Sequence, residues 1–512
     1  MPKTTLLTIP SVRYFSRTPA PSVSSKLGRE APKVTIIRPV KGVEPHLYDC
    51  IASTFYQDYP PDRISVRLCV EDVSDPAYPI LTKLVQDFPN IDAQVFVETQ
   101  DPVLHGEDGH VDNLGPNPKI RNISRAYREA QGDIIWVIDC NVWVAHGVLG
   151  RMVDKLMGFT PKGQVKPYKF VHHMPLVVDI VDYFGNGNTA GPEGQTLLRD
   201  HTSITPHKSG ASTNLIRENG GGRLDEMFMS TSHVKFYGAI NIVGVAPCIV
   251  GKSNMFRKAH LEMVTSPAEN PSLKRDDSRP TGIDYFSHHI CEDHLIGDLL
   301  WRFKMPGYQN HGLVWGDIVI QPMADMPIIS YAARRCRWLR ARKFTVLAAT
   351  LVEPGVESFL CCAYFAFAAT TLPWFQATLG IPQTWTVMSL VWLAAVTAWM
   401  VVDWFVFRHL HSGDTVQLDE NTPRFAKGTN NAGGMPRRIW SEWFLAWLGR
   451  EVLALPIWTY AVLLGTTVSW RGREFRVNVN TTVVDLNEST SKRSGKTPEL
   501  ERERLASKHR VD

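Results

Sequence analysis

The sequence predicts an α/β domain with a mostly parallel sheet, followed by C-terminal transmembrane helices. Two observations carry this. From Val34 onward, short β-branched runs alternate with helix-like segments, which is the pattern of parallel strands joined by crossover helices. After Lys343 the chain turns apolar in three long stretches.

Before Val34 lies MPKTTLLTIPSVRYFSRTPAPSVSSKLGRE, rich in Ser, Thr and Pro and free of acidic residues before Glu30. It holds no apolar run long enough for a signal peptide or membrane anchor, and its prolines break the helix that a mitochondrial presequence needs. Residues 1–32 are expected to form a disordered leader. The strands follow as VTIIRPV, ISVRLCVED, AQVFVE and DIIWVID, with YPILTKLVQDF and KIRNISRAYREAQ as helices between them. Residues 33–330 make up the α/β domain. Two stretches rich in Gly, Asn, Ser and Pro, near 182–224 and 265–282, are expected to be inserted loops.

The apolar stretches run over 356–376, 385–407 and 452–470. A bilayer span needs roughly 20 apolar residues. The second is long enough; the first and third are borderline, and each carries a proline. Residues 344–475 are thus expected to hold about three membrane segments, with 476–512 as a disordered tail. RRCRWLRARK, residues 334–343, places six cations ahead of the first apolar stretch and marks that side as cytosolic. Arg437 and Arg438 agree. RGREFR after the third stretch does not agree with three full crossings, unless one segment is re-entrant or interfacial.

A formal charge of +4 with no basic arm excludes a nucleic-acid partner. Eight cysteines without CxxC pairs or zinc-like spacing read as reduced thiols.

Ligands of open α/β sheets bind at the C-terminal ends of strands, and carboxylates cluster there. Glu71, Asp72 and Asp75 follow one strand. Asp139 closes another, with Asn141 two residues on. Such groups can accept hydrogen bonds from a base or ribose, or hold a divalent metal beside a diphosphate; they can equally cap turns. Glu292 and Asp293 open an amphipathic helix, where the dipole favours them; a carboxylate there can also act as general base.

The series Asp75, Asp139, Asp293, then Arg334, Arg337 and Trp338 in RRCRW, resembles the ceramide glucosyltransferase family, membrane-bound inverting glycosyltransferases with a GT-A fold. Other matching stretches are RPVKGVEP, NPKI, FVHHMP, TSHVKFY and VSWRGREFRV, and the resemblance covers roughly residues 33–478. It implies transfer of glucose from UDP-glucose to ceramide at the cytosolic face of a Golgi or endoplasmic reticulum membrane. Asp293 is then the base, with Arg334, Arg337 and Trp338 completing a catalytic segment, 331–343, at the membrane surface. Asp72, Asp75, Asp139 and Lys119 bind the donor, and Asp139 holds a divalent metal (Mg or Mn). His172, Glu292 and Cys248 are possible substrate contacts, and Arg340, Arg342 and Lys343 meet lipid headgroups at roughly 1 kcal/mol each. Asn141 replaces the second carboxylate of a DxD pair, and no N-terminal membrane helix is read where the family usually has one. Glu353, Glu357 and Asp403 fall in or near apolar sequence, where carboxylates are functional or paired; the two glutamates either bind ceramide polar groups or pair with Arg340 or Arg342. A polysaccharide or other glycolipid synthase of the same class, or an inactive ceramide- or UDP-sugar-binding protein, are the alternatives.

Overall fold

In a computed structural model that describes Phe15 and residues 18–105, 114–181 and 220–486, the four expected strand runs form β1 (Val34–Pro39), β2 (Ile64–Val70), β3 (Asp92–Val97) and β4 (Ile134–Ile138). Three more strands complete the sheet: β5 (Tyr168–Asp179), β6 (Ser253–Arg257) and β7 (Gln309–Met323). The order is β3-β2-β1-β4-β6-β5-β7, parallel throughout except where β6 runs against both its neighbours. β1, β2 and β4 are buried along their whole length, as strands covered on both faces must be. The covering helices include α1 (Tyr78–Asp87), α2 (Pro118–Arg128) and α3 (Val148–Met157). Ile36 packs into the core under α1 and α3, while Ile37 faces α2. The chain moves outward from β1 to β3 and then returns to lay β4 on the other side of β1. This reversal opens a cleft at the strand ends between β1 and β4, the usual ligand position in such sheets.

The expected α/β fold with a mostly parallel sheet is therefore present, but three boundaries shift. Residues 18–32 are not a free leader. Val23 and Ser24 donate backbone N–H bonds to the Asp154 carboxylate on α3 (2.5 and 2.8 Å), and Phe15 is buried beside Trp315. The short polar run supplies capping groups that its composition hides. The other residues before 18 lie outside the described residues, as do 182–219 of the first expected loop. That loop's end, 220–224, enters a buried helix α4 (Gly221–Phe228), which continues through a π-turn into α5 (Val234–Val243). Residues 266–281 are turns and coil, between Thr265, which ends a helix, and Gly282, which starts a short 3₁₀ segment.

After α6 (Glu292–Arg302), the basic motif lies on α7 (Ile328–Arg342). The apolar stretches then become α8 (Ser358–Thr371), α9 (Pro373–Leu379), α10 (Trp385–Leu410) and α11 (Trp440–Trp458). Among described residues α10 alone is long and apolar enough by itself to cross a membrane; α8 and α9 pass only as a pair, bent by 68° at Pro373. Among the described residues the third stretch forms no helix long and apolar enough to cross a membrane. It ends in a π-turn and in strand β8 (Thr467–Trp470), which pairs with β9 (Arg473–Val477) and β10 (Val483–Asp485). The expected tail thus starts inside a sheet; residues 487–512 lie outside the described residues. The β8–β9 hairpin touches the α/β domain, with Arg473 3.7 Å from Glu71.

Buried ion pairs tie the apolar helices to the domain. Lys235 on α5 pairs with Asp403 on α10, whose other oxygen accepts from Trp447 Nε1 on α11 (2.9 Å). Arg450 on α11 pairs with Glu357 (2.5 Å). Glu353 pairs with Arg335 (3.0 Å) and Arg342. Pairing with Arg342 was one of the open readings for these glutamates, while Arg340 takes carbonyls instead, including that of Thr467 (2.9 Å). Both arginines, expected at lipid headgroups, are thus occupied within the protein.

Candidate active site

At the cleft, NPKI folds as a helix start. Asn117 caps α2, its Oδ1 accepting from the backbone N–H of Lys119 (2.8 Å) and Ile120 (3.1 Å), and Pro118 supplies the fixed φ of the first turn. The cap aims Lys119 across the cleft. Its ammonium lies 3.3 Å from Asp139 Oδ1 and 3.1 Å from Glu292 Oε1. Lys252, from the turn before β6, lies 3.0 Å from Asp139 Oδ2 and donates to Asn141 Oδ1 (3.2 Å). Burial opposes the Asp139 charge, but Lys119 and Lys252 hold its carboxyl well below the ordinary range. Burial likewise opposes the Lys119 charge, and Asp139 and Glu292 more than offset it, raising its pKa.

Asp293 stands beside this chain of charges at the first turn of α6. It is half-buried, and its carboxylate rests on Gly251. Burial pushes its pKa up against the pull of Lys119, and burial does the same for Glu292. Glu292 accepts from Lys119 and Asn117 (3.2 Å), so it braces the lysine, whereas among the described residues no ion pair holds Asp293.

The basic motif approaches from the side of the apolar helices. Arg334 Nε lies 3.3 Å from the buried Asp225, and its guanidinium stacks on the Trp338 ring at 4.6 Å. Trp338 packs among Val177, Leu224 and Leu339. Arg337 has no carboxylate partner among the described residues. Burial and the neighbouring Arg334 lower its pKa to about 10, and it lies in electrostatic reach of Asp139, Glu44 and Arg471. A half-buried cation facing other cations is a site prepared for an anion.

Arg471 is the residue that sequence reasoning missed, since RGREFR reads there only as a charge bearing on orientation. It turns the β8–β9 hairpin at φ 52°, a left-handed conformation uncommon for a side-chain-bearing residue, with Gly472 next at φ 78°. One buried guanidinium nitrogen, Nη1, has no hydrogen-bond partner among the described residues. Its carbonyl accepts from Lys41, which also pairs with Glu71 (2.7 Å), so the hairpin is tied to the loop after β1. The Arg-Gly turn between two short alternating strands was the available signal.

The remaining candidates divide. Asp75 accepts from the backbone N–H of Gly42 (both oxygens, 3.0 Å) and Ala77 (2.9 Å), so it joins the loops after β1 and β2. Asp72 accepts from Ser74 and Thr99 at the exposed rim, and hydrogen bonds from Ser74 lower its pKa. His172 is fully buried on β5, bonded through Nδ1 to Tyr237, and burial drives its pKa to about 3, so it is neutral. Cys248 precedes the Gly251 turn, and burial pushes its thiol up to about 12. The Asp139 carboxylate does not fit a resident metal. Both its oxygens face lysine ammonium groups, and among the described residues no three His, Cys, Asp or Glu side chains are grouped to hold a cation.

The sequence matches the model of glycosyl transferase family 21 over residues 5–181 and 211–483. It is 54% identical to a ceramide glucosyltransferase of Gibberella zeae over 97% of this chain and 94% of that one. It is also 54% identical to a ceramide glucosyltransferase of Pyricularia oryzae, over 94% and 92%. Among solved structures, a mannosyltransferase from Pyrobaculum calidifontis in complex with GDP-Man and Mn2+ is similar with a TM-score of 0.35 at 15% identity, covering 79% of this chain and 95% of that one.

Proposed function

The chain belongs to glycosyl transferase family 21, and on that premise we propose that it transfers glucose from UDP-glucose to ceramide with inversion, giving β-glucosylceramide and UDP at the cytosolic face of a membrane. The observation that carries this reading is Asp293: a carboxylate made more basic by burial and without an ion pair among the described residues, beside a lysine-bridged acidic cluster and a half-buried arginine with no carboxylate partner among those residues.

The donor enters the cleft between β1 and β4. Its nucleoside meets the rim at Asp72, while Asp75 keeps the two rim loops together. Lys119 and Lys252 fix Asp139 toward the sugar. Arg337 and Arg471 take the diphosphate, and fixed guanidinium groups stabilise the charge that grows on it as the glycosidic bond breaks. Arg334, held by Asp225 and stacked on Trp338, positions the helix that carries Arg337. The ceramide primary hydroxyl arrives from the bilayer side, where α10 anchors the chain. Asp293 takes the hydroxyl proton as the oxygen attacks C1 from the face opposite UDP, so one base suffices and the configuration inverts. No step is routed through a metal.

The test is a membrane-fraction assay with short-chain ceramide and separate UDP-glucose and UDP-galactose donors. Glucosylceramide from UDP-glucose alone, lost in Asp293→Asn, supports the reading. A polymer formed without ceramide, or donor binding without turnover, overturns it.

A further inference from the structure

A lipid-sized hollow near the membrane helices lies away from the catalytic centre. A cavity of about 560 Å³ opens where α10 ends and the loop 411–439 folds back on the domain. That volume is in the range of small-molecule sites. Its inner wall is apolar: Leu176 and Val178 from β5, Ile318 and Ile320 from β7. Side chains alternate faces along a strand. Val177, between the first two, packs with Trp338 on the other face. The cavity is thus separated from the arginine motif by the sheet itself.

Its mouth has the character of a membrane interface. Phe405 lines it and is 63% exposed, and Trp404 stands edge-on to Trp440 at 5.3 Å. Indole rings at a helix end mark the headgroup level. Three arginines line the cavity. Arg438 is paired with Glu226 (3.1 Å). Arg408 and Arg437 have no carboxylate partner among the described residues: Arg408 lies 5.7 Å from the Trp404 ring, and Arg437 donates to Asn430 Oδ1 (2.8 Å). Of the two lining carboxylates, Glu226 is also near Arg223 (3.6 Å), and Asp414 accepts from Asn430 (3.0 Å).

We propose that this cavity is a second lipid site, which takes one molecule of an anionic glycerophospholipid: phosphate on Arg408 and Arg437, an acyl chain against Phe405 and the strand residues behind it. Ceramide is uncharged and gives the two arginines nothing to bind. A soluble anion leaves the apolar wall uncovered. Anionic glycerophospholipid satisfies both halves and is delivered by the bilayer that α10 enters. The site stands independently of the glucosyl transfer reaction.

The test uses the full chain in phosphatidylcholine nanodiscs with and without phosphatidylserine, followed by detergent exchange and mass spectrometry of retained lipid. Wild type is expected to retain phosphatidylserine in preference to phosphatidylcholine. Arg408→Ala with Arg437→Ala, both at exposed positions, is expected to lower retention on the order of tenfold. Thr429→Trp fills the cavity and leaves its charges in place, and it is expected to lower retention as well; a variant that keeps wild-type retention shows adsorption to surface charge alone and overturns the proposal. Equal retention of both lipids also overturns it. A phosphatidylserine with a photoreactive group in its acyl chain needs no variant. Labelling confined to residues 176–178, 318–320, 404–416 and 425–438 supports the site, and labelling elsewhere overturns it.

Discussion

Gly251 lies directly beneath the carboxylate of Asp293: a Cβ on Gly251 would stand 2.7 Å from Oδ2 and 3.1 Å from Cγ. The obstructing atoms belong to a side chain that can move, so the fold tolerates the methyl group while the carboxylate does not keep its place. Gly251→Ala is expected to lower kcat by on the order of 10- to 100-fold, because small misplacements of a reacting group are costly. The KM for UDP-glucose should stay close to wild type, since the donor contacts lie elsewhere. Steady-state kinetics with short-chain ceramide separate the two constants. An unchanged kcat would remove Asp293 from the reaction.

Asp293 also ties activity to pH and to stability in opposite senses. Its pKa is raised by burial, so the acid limb of kcat/KM should fall at a higher pH than an ordinary carboxylate gives. Activity is lost as pH drops through the raised value. For stability the sign reverses. The unfolded state ionises first, so this carboxyl disfavours the fold progressively as pH rises from its unfolded to its folded pKa. Asp293→Asn should therefore lower turnover by about 10²- to 10⁴-fold while leaving the melting temperature at neutral pH equal to or above wild type.

Arg337 and Arg471 give a paired prediction. Burial and Arg334 destabilise the Arg337 charge in the empty protein, and Arg471 keeps an unbonded guanidinium nitrogen. Replacing either with Gln should cost little stability. It should weaken UDP binding by about tenfold or more, as the loss of a charge-assisted contact implies. Arg340→Gln serves as the contrast. It loses bonds to the Thr467, Tyr460 and Ala461 carbonyls and should destabilise the π-turn without acting directly on UDP. Thermal shift with and without UDP distinguishes the cases.

Much of this arrangement was legible in local pattern. β1 to β4 are apolar runs ending in turn residues, and their ends carry Asp72, Asp75 and Asp139 where strand ends should. Asn117-Pro118 is a helix start in the sequence and a helix start in the fold. The pairing of charges was not legible. Nothing local in NPKI says that Lys119 bridges Asp139 and Glu292, residues 20 and 173 positions away; that follows from the sheet order, which places α2 and α6 at one cleft. The third apolar stretch misled for a related reason. Hydropathy counts apolar residues without regard to period, and the TVSW end alternates like a strand, with Val468 buried under Phe475. Arg471 went with it, because a hairpin read as the end of a span cannot reach the donor loops.

Lys235 and Asp403 join the α/β domain to the long apolar helix α10, and their pairing predicts how the two depend on each other. Asp403 is buried on α10, and its oxygens face Lys235, Trp447 Nε1 (2.9 Å) and, further off, Arg450 (3.7 Å). Removing one partner of a buried pair leaves a charge without compensation, at about 3–5 kcal/mol. Replacing both with apolar residues of similar size removes the desolvation cost along with the attraction. Lys235→Met and Asp403→Leu should each lower the melting temperature strongly. The double variant should fall well short of their sum, and Arg450, which then loses one of its carboxylate neighbours but keeps Glu357, should hold α11 in place. Additive losses in thermal unfolding would mean that the two side chains do not stabilise one another, and that α10 docks through its apolar face alone.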